Sequence, residues 1–272
     1  MNHKLIGQLV AVFIVIQFIG LGVAFNLILS DTQVQLLTEN PNDLINVVYL
    51  IAVILFFTGV LLVSARYFKG HHFYKLLEAL IIFSTSVIVF EIFFNSLSAI
   101  VLALVLIALK NMYPKRLLVR NSIAVIASAA AGAIIGLALG LIPIILFIIF
   151  LACYDLIAVF KTKHMVTLAK SLTKRNLVFT IALPTKKHQF ELGTGDLVIP
   201  LAVGTALLKE NFYLFAFPIN FVPTLLVLLA SLMGLIFTVN YAGKKVGRAL
   251  PALPPQVLGM ILTIGLMKLI GF

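Results

Sequence analysis

The chain reads as long apolar blocks separated by short polar breaks. Blocks that approach or exceed the ~20 apolar residues needed to cross a bilayer predict transmembrane helices. The pattern predicts nine, roughly over 5–29, 44–65, 74–93, 96–110, 121–139, 141–160, 190–208, 218–239 and 255–271. The third and fourth are divided only by Phe94, Asn95 and Ser96, and the fifth and sixth only by the residues around Gly140 and Pro143. The first block is too long for the h-region of a signal peptide and no small-x-small site follows it, so a retained helix is expected. The longest break, about 161–189, is basic, but it holds an apolar island from Leu177 to Leu183 closed by Pro184. The island is too short to span and is expected either at the interface or as a strand.

Composition agrees with that pattern. Of 272 residues, 62% are hydrophobic and 11% charged, with a mean hydropathy of +1.18, whereas soluble domains carry ~25% charged residues. A soluble enzyme, a disordered chain and a disulfide scaffold are excluded; the single Cys153 has no internal partner. The fold class is therefore all-α, a multi-pass protein of the cell membrane in contact with the lipid bilayer.

Charge adds orientation. With the N-terminus cytoplasmic, 18 of the 20 Lys and Arg residues fall on cytoplasmic segments; only Lys209 and Lys268 do not, and the first outer loop carries Asp31, Glu39 and Asp43. This is the positive-inside rule in strong form, and it places the C-terminus outside. The net charge of +11 faces anionic lipid, and no nucleic-acid partner is implied.

Four acids fall within the spans: Glu78, Glu91, Asp155 and Asp196. A charge in mid-bilayer costs about 2.5–3.5 kcal/mol on insertion scales, so each is a functional candidate. Glu78 and Glu91 lie near helix ends and are expected to snorkel. Asp155 precedes Lys161 by six residues, roughly 9 Å of helix, and Asp196 follows Glu191 by five, roughly 7–8 Å. The two short acids thus sit at matching depth on antiparallel neighbours. Two carboxylates brought together in a low-dielectric site cannot both ionise and share a proton. Such a pair suits an aspartic protease, in which one member activates water and the other polarises the scissile carbonyl. It equally suits the relay of a proton- or cation-coupled transporter.

The residues around the acids separate these readings. Tyr154-Asp155-Leu156-Ile157-Ala158-Val159-Phe160 surrounds the first, Gly193-Thr194-Gly195-Asp196 contains the second, and Pro251-Ala252-Leu253-Pro254 precedes the last span. In order and in helix assignment these runs resemble the presenilin and signal peptide peptidase family of intramembrane aspartyl proteases, and the likeness extends over the nine spans. The compact size and the stretch after Tyr154 look closer to archaeal presenilin homologues than to eukaryotic signal peptide peptidases.

The resemblance implies an aspartic endopeptidase with Asp155 and Asp196 as its catalytic pair. Transmembrane segments or remnant signal peptides would be its substrates, and no obligatory partner subunit is implied. It also implies a single protease domain over 1–272, with helices 1–6 at about 5–160, the cytoplasmic loop at 161–189 and helices 7–9 at about 190–271. That loop is shorter than in animal presenilins, which puts self-cleavage there in doubt.

The other motif residues have roles to match. Gly193, Thr194 and Gly195 leave space for a substrate strand or for close helix packing, and Tyr154 shapes the site wall. Pro251, Ala252 and Leu253, with Pro254 and Pro255, are expected to break the ninth helix beside a water-lined cytoplasmic cavity. The segment Leu177–Leu183 is expected to offer a strand edge to an unwound substrate. His-Glu-x-x-His is absent, and all five histidines lie in loops or at span ends, so neither a zinc nor a serine protease fits. No metal or organic cofactor is expected. A non-catalytic scaffold is the remaining alternative, and it should tolerate Asn at both acids.

Overall fold

The computed structural model describes residues 3–67, 71–161, 178, 180–184, 189–212, 214, 218–243 and 251–271. These residues form α1 (His3–Leu29), α2 (Leu44–Tyr67), α3 (His71–Phe90), α4 (Ser96–Met112), α5 (Leu117–Ala138) and α6 (Leu141–Leu156). A π-helical turn, Ile157–Lys161, extends α6. Next come strands β1 (Thr180–Pro184) and β2 (Gln189–Gly193), then α7 (Gly195–Asn211), a 3₁₀ turn at Ile219–Phe221, α8 (Val222–Gly243) and α9 (Leu253–Ile270). Six of the helices are long and apolar enough to cross a membrane, which makes this a polytopic membrane protein. Of the loop expected over 161–189, residues 162–177, 179 and 185–188 lie outside the described residues, and with them most of the basic positions.

The expected spans match the helices closely, with one correction. Helix seven was expected from residue 190, but Gln189–Gly193 is a strand and α7 begins only at Gly195. Apolar Phe190 and Leu192 alternate with Gln189 and Glu191, a period of two that merges with the helix in any long hydropathy window. The described end of the apolar island, Thr180 to Leu183, is likewise strand rather than an interfacial anchor, since β1 pairs antiparallel with β2, Ile181 opposite Leu192 and Leu183 opposite Phe190. Ile181, Leu183 and Leu192 pack into one cluster with Leu5, Leu9 and Phe13 of α1 and Leu197 and Leu201 of α7.

Helix α7 is the hub. Leu197 and the whole run from Ile199 to Leu208 are buried, so it lacks the polar stripe of a surface helix. Close approach to α5 depends on glycine. A Cβ on Gly132 would stand 2.7 Å from Leu201, and one on Gly136 would overlap Thr205 Oγ1 and the Ala202 carbonyl. Thr205 Oγ1 donates across this seam to the Gly132 carbonyl at 3.3 Å. Without a hydrophobic force between helices in lipid, such small-residue contact is what holds them together.

The substitution Gly136→Ala is expected to destabilise the protein by about 1–3 kcal/mol through overpacking. Gly22→Ala, where a Cβ meets nothing among the described residues, should be neutral or mildly stabilising. Thermal unfolding of both variants in detergent checks the contrast.

Candidate active site

Three element ends meet at the two aspartates. Asp155 lies in the last turn of α6 and is buried at 8% exposure, toward the carbonyl end of the helix, where the Ile157 N–H donates to the Cys153 and Tyr154 carbonyls. A carboxylate there meets the negative end of the helix dipole. The N-terminus of α9 compensates: the Asp155 carboxylate accepts the backbone N–H of Leu253 at 3.4 Å and that of Ala252. Asp196 is half-buried in the first turn of α7, nearer the helix start than its expected depth because residues 190–193 are extended. The two carboxylates lie close enough for their charges to interact.

The remaining motif residues gather around this point. Tyr154 hydrogen-bonds Thr58 of α2 and stacks on Phe150 at 6.4 Å, so it ties α6 to α2 beside Asp155. Thr194 caps α7 through its backbone, its carbonyl accepting the N–H groups of Leu197 and Val198 at 3.0 Å. The glycines are not explained by helix packing among the described residues. A Cβ on Gly195 would meet nothing within 4 Å, and one on Gly193 only Asp196 Oδ2 at 3.6 Å. Among the described residues they leave open volume beside Asp196.

Pro251 is buried, Ala252 is the N-cap of α9, and Leu253 is its first residue. The prolines therefore start the helix rather than break it. Pro254 and Pro255 occupy first-turn positions where a missing N–H costs nothing, and the groups turned on Asp155 are donors, not orphaned carbonyls.

Residues outside the three motifs hold α7 and the hairpin in place. Pro200 lies inside α7, and its missing N–H removes the usual partner of the Asp196 carbonyl. Beside it, Gln17 of α1, 5% exposed, donates from Nε2 to the Leu197 carbonyl at 3.2 Å. Arg120 of α5, 2% exposed, donates to both oxygens of Glu191 on β2 at 2.8 and 2.9 Å, and Thr180 Oγ1 donates to Glu191 Oε2 at 2.6 Å. Glu78 does not snorkel. It is buried against Lys110 of α4 at 3.6 Å and accepts the Val178 N–H at 3.0 Å, just before β1. Its partners lie across two other elements, invisible to hydropathy. Glu91 is exposed just past the end of α3, as expected.

A cavity of about 290 Å³ lined by Asp31, Glu39, Leu137 and Lys209 opens at the other end of α5, away from this site. Among the described residues no cluster of His, Cys, Asp and Glu could hold a metal ion.

A sequence model of the signal-peptide peptidase and presenilin aspartyl proteases matches residues 10–191. The chain belongs to this family. The match spans α1 to β2 and ends just short of Gly193-Thr194-Gly195-Asp196. Two crystal forms of a presenilin family intramembrane aspartate protease have the same fold over 94% of this chain, each with a TM-score of 0.66. One is 21% identical and covered over 94% of its length, the other 25% identical and covered over 96%. No curated protein sequence matches. The chain is thus an intramembrane aspartyl protease, an aspartic endopeptidase of the bilayer, and the transporter reading has no support.

The Arg120–Glu191 pair seats the hairpin of this presenilin-family protease on α5. Arg120→Met is expected to cost about 3 kcal/mol or more by stranding Glu191, and Arg120→Met with Glu191→Met to recover much of it. Thermal unfolding of the two variants provides the measurement.

Proposed function

We propose that Asp155 and Asp196 are the catalytic pair of this protease, sharing one proton. The observation that carries this is the meeting of the two acids at the ends of α6 and α7, with the α9 N-terminus donating to Asp155. Those donors favour the negative charge on Asp155, so the proton rests on Asp196. Asp155 takes a proton from water as its oxygen attacks the scissile carbonyl, and Asp196 gives its proton to the carbonyl oxygen. The tetrahedral diol then collapses. The C–N bond breaks, the amine leaves with a proton from Asp155, and the diol hydroxyl returns its proton to Asp196.

The substrates on this reading are single-span membrane segments or remnant signal peptides, which must unwind before a carbonyl is accessible. The strand edge proposed to receive them is on β2, not β1. Ala182 of β1 already exchanges hydrogen bonds with the Asn121 side chain, at 2.8 and 3.0 Å, so that edge is occupied. Its outward pair fixes the alternation of the ladder, and on β2 the backbones of Gln189, Glu191 and Gly193 then face away from β1. An added strand would run from there to the open volume beside Gly193 and Gly195, next to Asp196.

The same proposal includes nine spans with a cytoplasmic N-terminus and an outer C-terminus, residence in the cell membrane, one protease domain over 1–272, and activity without a partner subunit. For the spans and their orientation the support is the distribution of Lys and Arg. In line with it, the start of α1 packs beside the hairpin, at the aspartate end.

Purified protein in detergent is expected to cleave a single-span peptide, and Asp155→Asn or Asp196→Asn to lose about 10²–10⁴-fold or more. Undiminished cleavage by either folded variant contradicts the pair. Gln189→Pro removes one outward N–H and leaves the β1–β2 ladder intact. It should raise KM several-fold with kcat little changed, and an unaltered KM would count against the β2 edge.

A further inference from the structure

The turn that holds Asp155 is itself held by a side chain with no part in the three motifs. Gln256 lies one turn into α9 and is fully buried. Its Oε1 accepts the hydroxyl of Ser231 on α8 at 2.8 Å, and its Nε2 donates to the Ala252 carbonyl at 3.3 Å. Ala252 and Leu253 are the two residues whose N–H groups reach the Asp155 carboxylate. We propose that Gln256, fixed by Ser231, is a positioning residue for Asp155. It holds the Ala252–Leu253 turn at the angle that keeps both N–H groups on the carboxylate. The inference rests on Asp155 being catalytic.

The need for such a device follows from the local sequence. Pro251, Pro254 and Pro255 flank the turn and have no N–H, so the backbone offers few hydrogen bonds to fix its orientation. A glutamine amide supplies an acceptor and a donor at opposite sides of one rigid plane, so it can take a hydroxyl from α8 and give an N–H to the turn. The helices are close enough for this only because of glycine. A Cβ on Gly234 would stand 2.9 Å from Gln256 N and Cα and from the Pro255 carbonyl carbon, and one on Gly259 would stand 3.1 Å from the Ala230 carbonyl oxygen. Ser231 lies one turn from Gly234 on α8, fully buried. The path runs Ser231, Gln256, Ala252–Leu253, Asp155, with each link a hydrogen bond or a peptide bond.

A polar side chain buried merely to be satisfied would give stability but no turnover effect of its own, and steady-state kinetics on a single-span peptide separates the two. Gln256→Leu is expected to lower kcat about tenfold with KM within about twofold, because its effect passes through the two N–H groups on Asp155. Ser231→Ala should lower kcat by a smaller factor. The double variant should be no slower than Gln256→Leu alone, since the serine acts only through the glutamine. Wild-type kcat in folded Gln256→Leu, or losses that multiply in full in the double variant, would overturn the proposal. If Gln256→Leu does not fold, Ser231→Ala decides: reduced kcat at unchanged KM supports the relay, and wild-type kcat overturns it. Asp155→Asn, run alongside, separates the two levels. Activity there would overturn the catalytic reading, whereas an inactive Asp155→Asn with full kcat in Gln256→Leu removes only the positioning role.

Discussion

A carboxylate at the carbonyl end of a helix, in a membrane, is the constraint on which the structure turns. Asp155 sits toward the carbonyl end of α6, just before the helix passes into its π-helical turn, and is itself buried. An isolated charge there would cost several kcal/mol. The fold meets this with the free N–H groups at the start of α9. To bring that helix start to the end of α6, α9 must pack against α8 at glycine distance, and α8 against α7, where Thr224 Oγ1 donates to the Gly204 carbonyl at 3.0 Å. The three helices after the hairpin are thus one assembly with the N-terminus of α9 as its product. The burial of α7 on every side makes it the fixed reference for Asp196.

A second set of charges serves the hairpin. Glu78 with Lys110, and Arg120 with Glu191 and Thr180, fasten Val178, β1 and β2 to α3, α4 and α5. Asn121 replaces a missing strand neighbour for Ala182. A two-stranded ribbon is marginal by itself, and these contacts make it part of the helical body. Glu191 carries no catalytic role on this account. It ties the strand that leads into Gly193 and Asp196 to the helix beneath, so the acid at the head of α7 and the strand before it move as one piece.

Much of this was legible in the chain. Apolar runs and their breaks gave the helices within a few residues, and the three motifs pointed to the family because short acids at membrane depth are too costly to be incidental. What hydropathy could not separate was the strand Gln189–Gly193 from the helix after it, since a long window averages the alternating Phe190 and Leu192 into the apolar helix that follows. It also misread Glu78, whose partner Lys110 is remote in sequence and whose other contact is a backbone N–H. Gln17 and Gln256 escaped notice because an uncharged amide in an apolar run has no periodic signature. Their importance lies in which carbonyl they reach. Pro251, Pro254 and Pro255 read as helix breakers in the chain, whereas around the first turn of α9 they leave the donors of Ala252 and Leu253 to Asp155.

The central claim is that one proton is shared between two carboxylates, and the pH dependence of kcat/KM for a single-span peptide tests it most directly. Within the range where the protein stays folded, a shared proton requires a bell-shaped profile. Activity is lost on the acid side when the pair takes up a second proton and on the alkaline side when it loses its only one. A profile that rises through a single ionisation and then stays level to high pH would contradict the account, because one base would then suffice.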